Sequence, residues 1–101
     1  MMIYVTAKNA EEAEKIGSAL VEERLVACVN IISPVRSIYR WKGAIERDTE
    51  AVLIAKTKET LVGAVIARIK ALHSYEAPCI EAIPIVKGNP AYLQWIGDET
   101  K

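Results

Sequence analysis

The chain has 101 residues, 51% hydrophobic and 26% charged, which is the length of one domain with apolar material for a core and for a subunit interface. Thirteen Lys and Arg balance thirteen Asp and Glu, so the basic footprint of nucleic-acid binding is missing and no acidic tail is present. Two cysteines, Cys28 and Cys79, are too few for the disulfide framework of a small secreted domain and read as free thiols; with no signal-like start and no apolar run approaching ~18 residues, the expectation is a cytoplasmic protein that does not enter a membrane.

Residues 2–6 are short, apolar and β-rich, and predict a first strand. Asn9 stands three residues before Glu12, a capping-box-like start. Ala13, Ile16, Gly17 and Leu20 follow at helical spacing, which predicts a helix over residues 11–24. Residues 25–41 are rich in β-branched and aromatic side chains and predict a long strand, with Pro34 marking a bulge or an edge position. Lys42-Gly43 is a turn signal, and residues 44–57 return as the partner strand of one long hairpin. Leu61, Val62, Val65, Ile66, Ile69 and Leu72 predict a second amphipathic helix that ends before Pro78. Residues 79–86 predict a strand with Pro84 at an edge or end, Gly88-Asn89-Pro90 a turn, and residues 91–96 a short closing helix.

This order, β-α-β-β-α-β with a terminal helix, predicts one ferredoxin-like α+β domain over residues 1–101, built on an antiparallel sheet. A strand of sixteen residues would span roughly 50 Å, against a radius of gyration near ~13 Å for a chain of this size. The hairpin should therefore overhang its own domain. Its uncovered edges and apolar side chains call for another chain.

The blocks RLVACVNI (24–31), SIYRWKG (37–43), E-x5-KT (50–57), H-x-YE-x-P (73–78) and YLQWI (92–96) occur in order along nearly the whole chain. Together they resemble the CutA divalent-cation tolerance family. The resemblance implies a ferredoxin-like protomer in a tight cytoplasmic homotrimer with its long hairpins meeting between subunits. It also implies a link to tolerance of divalent cations such as copper, and structural kinship with the trimeric PII signalling proteins. Ser74 stands where the family usually has proline. Val5 and Leu72 stand where copper-binding members can carry a cysteine and a second histidine.

His73, the sole histidine, is read either as a metal ligand or proton shuttle or as a helix-end residue bonded locally. Cys28 is either a soft ligand for Cu(I) or a small core hydrophobe; Cys79 follows Pro78 at a strand start. No protomer can close a four-ligand site with one histidine and these thiols, so a metal site would join His73 with Cys28 or Glu76 across a subunit boundary. Tyr39 and Trp41 share one strand face by alternation with Ser37, as do Glu50 and Lys56 on the partner strand. They are either trimer-seam anchors or, completed by Tyr75 and Glu76, the lining of a ligand pocket. There is no nucleophile elbow, phosphate-cradling glycine loop or G-x-G-x-x-G, so no catalytic role is expected. The first functional expectation is thus a trimeric cation-response or homeostasis protein that needs no cofactor and holds copper or another divalent metal weakly. The alternative is a PII-like module that binds a small ligand at inter-subunit clefts and presents it to a further protein partner.

Overall fold

In the computed structural model, which describes residues 1–101, strand β1 (Met2–Ala7) alternates between half-buried and buried positions. That period of two places Ile3, Val5 and Ala7 on the core face and Met2, Tyr4 and Thr6 on the other. Helix α1 (Ala10–Glu22) starts where the Asn9 side chain accepts from the Glu12 N–H. The chain turns away at Arg24, whose φ of 58° lies in the left-handed region. β2 (Cys28–Trp41) and β3 (Ala44–Lys56) form the long hairpin, with Gly43 at φ 83° in its turn. A single 3₁₀ turn (Glu59–Leu61) leads into α2 (Val62–Leu72); β4 (Ile80–Ile83) and α3 (Pro90–Glu99) complete the chain.

The strands lie in the order β2-β3-β1-β4, all antiparallel, with α1 and α2 on one face. Ile3, Val5, Ala51, Leu53 and Ala55 from that sheet face meet Ala13, Ile16, Leu20, Val65 and Ile69 from the helices to make the core. This is the expected ferredoxin-like α+β fold. Gly17 sits at the tightest approach: a Cβ there would come within 2.8 Å of Val29 Cγ2. The opposite sheet face has only α3 across one end. Arg24 ties that helix down by donating to the Asp98 and Glu99 carbonyls at its C-terminus.

Two expected boundaries shift. The strand expected over residues 79–86 is confined to Ile80–Ile83, because β1 begins at Met2 and Met2 pairs with Ile83, leaving residues 84–86 nothing to pair with. The strand expected from residue 25 starts at Cys28, because Leu25 and Val26 turn inward and are buried in the core. Pro34 does mark a bulge. The β2–β3 register slips between Ile32 and Val35, so even-numbered β2 residues before the slip share a sheet face with odd-numbered ones after it.

The hairpin overhangs as expected. β1 covers β3 only from Ala51 to Lys56, so residues 35–41 and 44–50 form a two-stranded ribbon, and the molecule is 44 Å long but only 25 by 22 Å across. Its faces differ in charge. Arg36, Ile38, Arg40, Ile45 and Arg47 share one; Tyr39, Trp41, Glu46, Asp48 and Glu50 share the other.

Candidate functional site

Where the aromatic face of the ribbon meets the open face of the sheet, a cleft of about 660 Å³ is formed. Four chain segments build it: Tyr4 and Thr6 from β1; Ser37, Tyr39 and Trp41 from β2; Glu50 from β3; and the segment following α2, including Ser74, Tyr75, Glu76 and Cys79. No lysine, arginine or histidine lines it. Glu50, the last β3 residue before the sheet widens to include β1, is only 7% exposed. Its Oε2 accepts from the Tyr75 hydroxyl at 2.7 Å. Burial, and then this bond, raise the pKa of Tyr75 well above the ordinary phenol value. The Tyr39 hydroxyl donates to Asp48 on the same ribbon face, which pushes its pKa up to about 12. Both phenols therefore remain donors.

The segment after α2 is held over the cleft from beneath. The His73 side chain is fully buried; its Nε2–H donates to the Thr6 carbonyl at 2.8 Å, and its Nδ1 accepts from the Tyr75 N–H at 3.1 Å. This arrangement fixes one neutral tautomer and leaves no ring nitrogen facing the cleft. Glu12 takes the next position. Its Oε2 accepts from the Ser74 N–H and its Oε1 from the Lys8 N–H, both at 3.0 Å. Burial pushes its carboxyl up, but the hydrogen bonds from Ser74 and Lys8 outweigh burial and hold it below the ordinary carboxylate value. The capping box is thus half-formed in its usual sense: Asn9 caps the helix, while Glu12 reaches outward and anchors the cleft loop.

The sequence-predicted residues divide into three places. Tyr39, Trp41, Glu50, Tyr75 and Glu76 come together in the cleft. Lys56 does not: it lies on the same face as Glu50 but six residues along β3, roughly 20 Å away, where it bonds to Asn30 and pairs with Cys28. The bulge puts Cys28 on that face too, under α3, with its Sγ 3.4 Å from the Tyr92 hydroxyl. His73 lies behind the cleft rather than in it. Within one chain His73, Cys28 and Glu76 therefore form no cluster, and no three His, Cys, Asp or Glu side chains gather as a metal site. Cys79 does line the cleft. Burial, with a hydrogen bond to Glu81, raises its pKa and keeps it a thiol, so it is no activated nucleophile.

Sequence reasoning missed Tyr4, Thr6 and Asp48. Alternation signalled all three, since Tyr4 and Thr6 point opposite to the β1 core residues and Asp48 shares the Glu50 face. It could not show that β1 and the ribbon border one cleft.

A family model described as CutA1 divalent ion tolerance protein matches residues 1–99. The chain belongs to the CutA family. The divalent-cation tolerance protein CutA of Archaeoglobus fulgidus is 49% identical over 98 residues, covering 97% of this chain and 94% of that protein. A solved CutA structure from Thermus thermophilus superposes with a TM-score of 0.96 at 44% identity, covering 100% of both chains. The CutA homolog of Xenopus laevis is 45% identical over 95 residues, which is 94% of this chain but 63% of that protein, and the rice chloroplastic CutA is matched over 57% of its length. This CutA chain thus spans a little over half the length of those eukaryotic relatives. A solved structure from Archaeoglobus fulgidus is of a periplasmic CutA, so family membership does not carry the cytoplasmic expectation. No helix here is long and apolar enough to cross a membrane.

Proposed function

We propose that this CutA chain acts as a homotrimeric divalent-cation response protein whose ligand cleft, on the open sheet face, is completed by a second subunit. The observation that carries the reading is the two-stranded ribbon. Two strands alone are marginal in water, yet this ribbon leaves Ile38 68% and Ile45 56% exposed. Its basic, isoleucine-bearing face complements its acidic, aromatic one, so one copy can dock head to tail on the next and close a ring. The free outer edges of β2 and β4 favour the same arrangement. Copper or another divalent metal would then need donors from more than one chain. Glu50, Glu76 and Cys28 are the candidates from this chain, and His73 acts as a positioning residue for Tyr75.

Light scattering tests the assembly, and calorimetry with Cu(II) and Zn(II) on the same sample tests the ligand. A mass three times the chain's 11.1 kDa is expected, with metal bound only by the assembly. Ile38→Asp should dissociate it, although a charge at so exposed a position would cost a monomer within about 0.5 kcal/mol. A monomeric wild type, or an Ile38→Asp variant that stays assembled, would overturn the reading.

A second reading, a PII-like module taking a small molecule, is favoured by the size of the cleft. About 660 Å³ is far more room than a bare ion fills. No lysine, arginine or histidine of the chain itself lines it, so a cationic group in the cleft would come from the ligand or from the basic ribbon face of the next copy.

A further inference from the structure

The cleft carries negative charge that nothing in the chain answers. Glu50 is buried, and one hydroxyl, that of Tyr75, bonds one of its oxygens. Tyr39, the phenol of the ribbon face, is committed to Asp48. The one ion pair between permanently charged side chains, Arg68–Glu23, involves no cleft residue. A carboxylate withdrawn from water is costly unless a cation or several donors meet it. Glu76 adds a second carboxylate to the lining.

The walls around that charge are aromatic. Tyr4, Tyr39, Trp41 and Tyr75 all contribute, and ring faces attract cations while also covering an apolar body. A metal ion would use little of this. It needs several donors converging on one point, and no three such side chains gather in the chain.

We propose that the cleft binds a small organic cation, an alkylammonium or alkylguanidinium, with its charged head on Glu50 and its body against Tyr39, Trp41 and Tyr75. This names the ligand class for the small-molecule reading above and rests on that reading for its location. The same guanidinium chemistry could come from Arg36, Arg40 or Arg47 of a second copy's ribbon. The small molecule is favoured because the cleft has room for a complete ligand beyond one side-chain head group.

The test is calorimetry on the full chain, its mass checked by light scattering, with n-butylguanidinium, n-butylammonium and the neutral isostere n-butylurea. Saturable binding of both cations is expected, with butylurea weaker by about tenfold or more, since a hydrogen bond to a charged group supplies that much. Glu50→Gln should lose the cation preference at unchanged mass. Glu50→Asp, which keeps the charge and guards against misfolding of the first variant, should retain the preference at lower affinity. Equal binding of butylurea, or full affinity in Glu50→Gln, would overturn the inference. So would no saturable binding by wild type; if binding then emerged in an Arg36→Ala, Arg40→Ala, Arg47→Ala variant, the occupant would be the second copy's arginine. Cu(II) binding without butylguanidinium binding would sink this inference and leave the cation-response reading standing. A monomer that bound neither would sink both.

Discussion

Replacing His73 with alanine separates a ligand role from a positioning role, because the two predict opposite pairs of results. The side chain is fully buried and makes two hydrogen bonds, at 2.8 Å to the Thr6 carbonyl and 3.1 Å from the Tyr75 N–H. Truncation orphans both partners, each costing about 1–2 kcal/mol, and leaves a void costing about 1 kcal/mol more, for a total of about 3–5 kcal/mol. Urea unfolding at fixed protein concentration reads this as a lower midpoint with an unchanged slope. Several concentrations are needed, because assembly contributes to the measured stability. Tyr75 should also lose its hold on Glu50, so faster hydrogen exchange at the Tyr75 amide should accompany the loss. Cu(II) affinity, taken by calorimetry under conditions where the variant is folded, should stay within about twofold of wild type, since a ring with both nitrogens bonded inward supplies no ligand. The refuting result is the reverse pattern: unfolding like wild type together with loss of Cu(II) binding. That would mean the bonds to Thr6 and Tyr75 are absent in solution and the imidazole faces a metal.

Glu12→Gln should cost about 1–2 kcal/mol near neutral pH, because the charge-assisted bonds to Ser74 and Lys8 weaken. Its folded carboxyl lies below the ordinary value, so its contribution is present above about 4.5, the unfolded value, and fades as pH falls through the folded one. Acid unfolding followed by circular dichroism should accordingly be less steep in the variant; an identical acid limb would contradict the assignment. Two glycine-to-alanine changes should have opposite signs. At Gly17 the added methyl lies 2.8 Å from Val29 Cγ2 and 3.3 Å from Leu53 Cδ1, so overpacking of about 1–3 kcal/mol should exceed a helix-propensity gain of about 1 kcal/mol. At Gly63, in α2, nothing lies within 4 Å, and the same change should stabilise by about 0.5–1 kcal/mol; chemical denaturation of the pair checks both.

What the sequence by itself determined is local in kind. Alternation along residues 2–6 and 44–57 told which side chains share a face, helical spacing found α1 and α2, and Asn9 marked a helix start. Element order then led to the ferredoxin-like domain, and strand length alone required the overhang. Pro34 signalled a bulge, but only the β2–β3 register showed that the slip carries Cys28 onto the face of Tyr39 and Trp41. Tertiary structure decided the rest, because a period of two names a face and not a neighbour. Glu50 and Lys56 satisfy the same alternation, yet one lines the cleft and the other bonds Asn30 at the far end of the sheet. Pro84 signalled the end of β4, which stops at Ile83, and the register shows that β1, beginning at Met2, offers no partner beyond it. The direction of His73 was decided by the Thr6 carbonyl, 67 positions away in the chain. A polar side chain turns toward whichever partner the fold brings within about 3 Å, and that partner cannot be read from its own flanking residues.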